Sequence, residues 1–164
     1  MKNKSVFITV CVLAMVIAIN FSCSSADRKK DDISFEALKT AYEGDIKSYD
    51  TLKISPEVKS LQVVINLPKG QKFNTEAPFN LVAASANSDI ISLQKQTANR
   101  AGKNITLPVS LNEGNTVLRI LLDFSYCGTG NSAICFFESG LLEIPVEVGS
   151  GGGNTFTIEY EVTE

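Results

Sequence analysis

The chain has 164 residues, a formal net charge of −3 and 20% charged residues, which is typical of one globular domain with short accessory segments. It contains no histidine. Ser-His-Asp and Cys-His hydrolases and histidine-ligated zinc sites are therefore excluded, because each needs imidazole. The acidic balance also lacks the positive charge that nucleic-acid binding requires. We expect no hydrolase or metal chemistry, no cofactor and no nucleic-acid partner.

The N-terminus resembles a bacterial lipoprotein signal peptide. Lys2 and Lys4 precede an uncharged run at residues 6–19, which is too short to span a bilayer comfortably, and Cys23 follows that run. In such a signal, residues 1–22 are cleaved and Cys23 becomes the acylated first residue. The resemblance implies a membrane-anchored lipoprotein of the bacterial cell envelope, facing the periplasm or the cell exterior. Plain secretion and an uncleaved anchor are the alternatives.

A tether is predicted between this signal and the domain. The residues after Cys23 are polar and charged, so residues 23–48 are interpreted as a linker and residues 49–164 as the domain. Within the linker, residues 34–49 either form a short helix capped by Ser34 or are irregular.

From Tyr49 onward, apolar residues alternate with polar ones, which is typical of β-strands. Eight strands separated by turn signals predict an all-β, immunoglobulin-like antiparallel β-sandwich. The predicted strands are residues 51–54, 58–67, 79–85, 90–95, 105–111, 115–126, 141–148 and 155–162.

Some connecting features are also predictable. Residues 71–78 and 96–104 are polar and are expected to be loops. Pro108 within a strand indicates a sheet edge or a bulge, because proline cannot donate to the ladder. Gly114 predicts a hairpin turn at residues 112–115.

The strand at residues 115–126 leads into the cysteines on which the functional hypothesis depends. Its pattern predicts one face fully buried and the other partly buried. Of the four cysteines, Cys11 lies in the signal and Cys23 would carry lipid, which leaves Cys127 and Cys135. In an exported compartment this pair can close into a disulfide, and one pair is not a four-ligand metal site.

The neighbours of the pair suggest no activating group. The loop GTGNSAI offers neither a cation nor a helix N-terminus that would stabilise a thiolate. Tyr126, Phe136 and Phe137 are interpreted as core or rim packing. Asp123 and Glu138 are interpreted as solvated carboxylates, although either could accept a proton from a thiol.

A family resemblance supplies a function. Residues 67–79 (LPKGQKFNTEAPF), 105–127 (ITLPVSLNEGNTVLRILLDFSYC) and 142–148 (LEIPVEV), with Cys135 before the last, occur in a characteristic order. This order resembles the immunoglobulin-like N-terminal domain of the DsbD family of thiol:disulfide interchange proteins. It is also similar to the related β-domain behind thioredoxin and NHL-repeat segments.

The resemblance spans roughly residues 53–148 and implies a component of a thiol:disulfide oxidoreductase. Cys127 and Cys135 would accept and pass on electrons by disulfide exchange with thioredoxin-fold proteins or a membrane reductase. The family's aromatic cap has no counterpart here, because neither phenylalanine nor tyrosine occurs at residues 80–123. The alternative is a non-catalytic binding or structural lipoprotein in which the disulfide is a static staple.

Overall fold

The structure is a computed structural model that describes residues 33–130 and 134–163. These residues lie in one compact unit, Asp32–Glu164, and form one helix and eleven strands. The predicted signal peptide, Cys23 and the tether up to residue 32 lie outside the described residues. In chain order the elements are α1 Phe35–Thr40, β1 Ile46–Ser48, β2 Leu52–Ile54, β3 Ser60–Asn66, β4 Gln71–Phe73, β5 Asn80–Ser85, β6 Ile91–Leu93, β7 Thr97–Ala98, β8 Asn104–Leu111, β9 Gly114–Gly128, β10 Cys135–Val148 and β11 Phe156–Glu161.

The strands form two sheets around one core, which confirms the predicted all-β sandwich. The first sheet has the order β1-β10-β9-β5-β7, with β2 also paired to β10 and β4 also paired to β9. The second has the order β11-β3-β8-β6. Both sheets are mixed rather than purely antiparallel, because β1 and β2 run parallel to β10 and β11 runs parallel to β3.

Three strands were missed by the sequence analysis. β1, β4 and β7 have three, three and two residues. A period of two cannot be recognised over so few positions, so their segments read as polar loops or linker. Their positions are fixed by pairing with strands distant in sequence.

The two faces of β9 are buried as predicted. The inner face, which fills the space between the sheets, is fully buried, and the outer face is partly buried. Arg119 and Leu121 on the outer face are buried beneath α1. The inner-face residues are Leu118, Ile120, Leu122, Phe124 and Tyr126.

The N-terminal segment belongs to the folded unit, so the predicted tether to residue 48 is too long. The Ser34 Oγ accepts the Ala37 N–H at 3.1 Å, which confirms the predicted cap of α1. Leu38 packs against the outer face of the first sheet with Leu121 and Leu141. This apolar face explains why the segment is ordered.

A buried arginine also fixes α1 in place. The Arg119 guanidinium lies 3.7 Å from the centre of the Phe35 ring, and its Nη1 donates to the Phe35 carbonyl at 3.1 Å. Its Nε donates to Glu143 Oε2 at 2.8 Å. The charge is therefore buried with partners on the helix and on β10.

Two predicted connections are wrong. β8 lies between β3 and β6 rather than at an edge. The Pro108 carbonyl accepts the N–H of Gln94, one residue beyond β6. The nitrogen of Pro108 points to the same side, where β6 has already ended, so proline is tolerated because no strand needs its missing N–H. Gly114 does not turn a hairpin, because β8 and β9 lie in different sheets. Gly114 is the first residue of β9, where the chain has passed from the second sheet to the first. Its φ is +144°, and a Cβ there would lie 2.8 Å from Ile90 Cδ1.

The longest paired element is the β9–β10 hairpin. Its antiparallel register runs without interruption from Gly114↔Val148 to Cys127↔Cys135. The hairpin crosses the centre of the first sheet, and its connecting loop lies at residues 129–134, of which 131–133 are not described. Among the described residues, no helix has the length and apolar character needed to cross a bilayer.

Candidate functional site: a disulfide at the end of the longest hairpin

Cys127 and Cys135 form a disulfide, with an S–S distance of 2.09 Å and a Cα–Cα distance of 4.0 Å. They are the last registered pair before the hairpin loop. The Gly128 N–H donates to the Ile134 carbonyl at 3.1 Å, so the cysteines occupy a non-hydrogen-bonded pair. In that arrangement opposite side chains lie closest, which explains why the register itself brings the two sulfur atoms together.

The two cysteines differ in exposure. Cys127 is only 7% exposed, because β4 lies beside it, whereas Cys135 is exposed. Cys135 is therefore the more accessible residue of the two. The disulfide has one accessible and one shielded end.

Three exposed apolar side chains surround Cys135. Ile134, Phe136 and Phe137 are 69%, 46% and 69% exposed. The Phe136 ring stacks on Tyr126 with ring centres 5.4 Å apart, which confirms Tyr126 as core and Phe136 as rim packing. The interpretation of Phe137 as core or rim packing is wrong. Strand alternation places its side chain on the outer face, opposite Ser125 and beyond the part that α1 covers.

β4 brings a lysine to the disulfide. The Phe73 ring packs into the core, 5.7 Å from the centre of the Phe124 ring. Lys72, the preceding residue, must then point outward, and its Cα partner across the ladder is Cys127. Lys72, Cys127 and Cys135 therefore form one row across three strands on the outer face. The row lines an open depression of about 480 Å³ whose wall is formed by residues 72–76.

The sequence analysis missed this lysine. The loop between the cysteines contains no cation, and Lys72 lies far from it in the sequence. The turn signal at residues 68–70, with Gly70 at φ +81°, marks the start of β4. Nothing in the local pattern indicates that β4 pairs with the far end of β9, more than fifty residues later in the chain.

The two carboxylates near the pair are half-buried and accept hydrogen bonds from other side chains, so neither is placed to take a proton from a cysteine thiol. Asp123 Oδ1 accepts the Ser139 hydroxyl at 2.6 Å, and it lies four residues from Cys127, roughly 13 Å along the strand. Glu138 accepts the Tyr160 hydroxyl on the inner face. Burial raises the pKa of the Tyr160 phenol, and this hydrogen bond raises it further.

The fold and the site define a class: an all-β sandwich that carries a half-exposed disulfide at the end of its longest hairpin. Among the residues that the structure describes, no three cysteine or acidic side chains are placed to bind a metal ion. Comparisons of the chain with models of protein families and with curated proteins find no match.

Proposed function

We propose that this chain is a thiol:disulfide exchange module whose Cys127–Cys135 pair accepts electrons from one thioredoxin-fold or membrane reductase partner and passes them to another protein. The observation that carries this proposal is the exposure of Cys135 beside an otherwise shielded sulfur. Exchange requires a thiolate to reach a disulfide sulfur, and accessible bonds are the reactive ones. The likeness to the DsbD family supports the same chemistry.

The exchange proceeds in two steps. A partner thiolate attacks the Sγ of Cys135, the S–S bond breaks, and the Sγ of Cys127 leaves with the bonding electrons. A second thiolate of the partner then attacks the mixed disulfide and releases the thiolate of Cys135. The partner gains a disulfide and this chain gains two thiols, so two electrons are transferred. The reverse sequence passes them to an oxidised acceptor.

Lys72 supports the first step. As the Cα partner of Cys127 on the same face, Lys72 carries its ammonium on a side chain that can reach the sulfur that gains negative charge. A neighbouring cation stabilises a thiolate relative to its thiol. Lys72 thus stabilises the shielded Cys127 as the leaving thiolate, and the exposed Cys135 is the sulfur that the partner attacks.

Attachment to the bacterial cell envelope through lipid on Cys23 is part of the proposal. The basic residues, the apolar run and the cysteine of the N-terminal sequence support it. Expression in a bacterium, followed by intact mass measurement of the membrane fraction, should show loss of residues 1–22 and added lipid. Cys23→Ser should abolish both.

The burial of Cys127 favours a second candidate, a structural or binding lipoprotein in which the disulfide is a staple. In the chain-entropy model, closing so short a loop adds about 2–3 kcal/mol to stability. The reduction potential separates the two. A value near about −200 mV supports exchange, and one below about −300 mV is typical of a structural disulfide.

Trapping identifies the partner and the attacked sulfur together. In Cys127→Ser no second thiol of this chain can attack a mixed disulfide on Cys135. This variant should therefore accumulate a mixed disulfide with a thioredoxin-fold protein. Cys135→Ser is the matched control, because it leaves only the shielded thiol. Equal trapping by both variants would contradict the assigned roles, and absence of any adduct would favour the staple.

A further inference from the structure

One edge of the first sheet is open next to the disulfide. β10 pairs with β9 along its whole length, but on its other side β1 pairs only with Leu141–Glu143 and β2 only with Val146–Val148. Among the described residues, no strand lies on that side of residues 135–138. This open edge begins at Cys135 itself.

The backbone of this segment is oriented to accept another strand. Because Cys135 and Cys127 are a non-hydrogen-bonded pair, the N–H and C=O groups of Cys135 and of Phe137 point away from β9. Other odd-numbered residues of β10 use their backbone groups on this same edge. There the Glu143 carbonyl accepts the Tyr49 N–H at 3.0 Å and the Ser139 carbonyl accepts the Tyr42 hydroxyl at 3.4 Å. Tyr42 closes the edge at Ser139, so residues 135–138 are what remains for a ligand.

Two aromatic side chains of the open edge, Phe136 and Phe137, are exposed. Phe137 projects into solvent on the outer face, and Phe136, on the inner face, stacks on Tyr126 with 46% of its surface exposed. Exposed hydrophobic edge strands are templates for addition of a strand from another chain. The polar residues 24–32 of this chain, SSADRKKDD, do not have the apolar side chains that such an edge would take.

We propose that an extended segment of a partner protein, bearing a reactive cysteine, docks as an antiparallel strand on residues 135–138 with its cysteine opposite Cys135. This inference rests on the proposed exchange function. In that register the partner cysteine and Cys135 form a hydrogen-bonded pair with Cα atoms about 5.5 Å apart and side chains on one face. That separation is the usual Cα distance of a disulfide.

The register also defines the partner sequence. In an antiparallel strand the two residues before the partner cysteine lie opposite Phe136 and Phe137, so both are expected to be apolar. The partner thiolate attacks the Sγ of Cys135, the bond to Cys127 breaks, and Cys127 keeps the electron pair and takes a proton from water. No further oxidant or reductant is needed.

Synthetic peptides test the docking directly. One peptide carries Thr-Val-Val-Cys-Thr with blocked ends, and its matched control has a methyl group on the backbone nitrogen of the cysteine. That N–H would donate to the Cys135 carbonyl, so its loss removes one strand hydrogen bond while keeping the thiol. The rate at which each opens the Cys127–Cys135 bond of the full chain is followed by alkylation and mass spectrometry. The unmodified peptide should react about fivefold faster or more.

Variants of Phe137 supply the reciprocal test. Phe137→Pro removes the N–H that points to the open edge without breaking a hydrogen bond to β9, and Phe137→Ala removes only the ring. The proline variant should lower the peptide rate to that of the methylated peptide, and the alanine variant should lower it less. Both should open at the wild-type rate with dithiothreitol, which shows that the fold and the disulfide are intact.

The outcomes separate docking from exchange. If both peptides and dithiothreitol open the wild-type bond at comparable rates, strand docking is wrong and exchange stands. If none of the three thiols opens it, both proposals fail. A dimer in solution that is lost in Phe137→Pro would assign the edge to a second copy of this chain and overturn the partner-segment proposal.

Discussion

Lys72 offers a direct test of how this disulfide opens. Lys72→Gln removes the ammonium and keeps a polar side chain of similar length. Opposite residues of an antiparallel pair have Cβ atoms about 5 Å apart, so the ammonium and the Cys127 sulfur can lie about 6 Å apart. Because Lys72 is exposed, the dielectric constant of water applies, and the Coulomb energy is about 0.7 kcal/mol. This corresponds to a rate about threefold lower.

The assay is opening of the Cys127–Cys135 bond by an uncharged trialkylphosphine at low ionic strength, because a thiol reductant attacks as an anion on which Lys72 would also act. Lys72→Arg is the matched control, because it keeps the positive charge. It should open at nearly the wild-type rate. Salt should shrink the difference, because exposed charges are screened over about 8 Å at physiological ionic strength. Equal rates for Lys72→Gln and wild type, or equal slowing by glutamine and arginine, would show that this charge does not act on the Cys127 sulfur.

Three further predictions concern stability. Arg119→Met should lower the free energy of unfolding, measured in urea, by about 2 kcal/mol, because two charge-assisted hydrogen bonds are lost. Glu36→Gln should change it by less than about 0.5 kcal/mol, because the Arg119–Glu36 ion pair has its carboxylate at the surface. Burial raises the pKa of Tyr49 and of Tyr160, so these phenols lose their protons at lower pH in the unfolded state than in the folded one. Their contribution to the free energy of unfolding should be constant below about pH 10 and should fall above it, as followed by urea unfolding and tyrosinate absorbance. Gly140→Ala should destabilise by about 1–3 kcal/mol, because its Cβ would lie 2.6 Å from the buried Tyr160 hydroxyl; wild-type stability would mean that the ring can move aside.

The long strands could be predicted because each has an alternating apolar pattern that continues over six or more residues. β3, β8 and β11 alternate buried residues with more exposed ones over enough positions for the period of two to be recognised. In β9 the outer face is also largely buried, and it is the alternation of apolar with polar side chains near its end, Asp123 to Tyr126, that shows the period. The disulfide could be predicted as well, because elimination left two cysteines at the ends of one loop. Both inferences use information that is local in the sequence.

The surroundings of the disulfide could not be predicted in the same way. Lys72 reaches Cys127 through a three-residue strand, and the exposure of Phe137 depends on where α1 ends on the outer face. Pro108 and Gly114 follow the usual rules for their residue types, but the sheet to which each neighbouring strand belongs decides which rule applies. Long-range pairing, which a single sequence shows poorly, controls each of these cases.

The uninterrupted register of β9 with β10 has a consequence for signalling. Backbone hydrogen bonds hold the two strands together with or without the sulfur–sulfur link, so reduction should leave the outline of the domain nearly unchanged. Its oxidation state would then be invisible to any molecule that touches the remainder of the surface. Only a protein that reaches the tip could tell the two forms apart, as the proposed exchange with a docked partner requires.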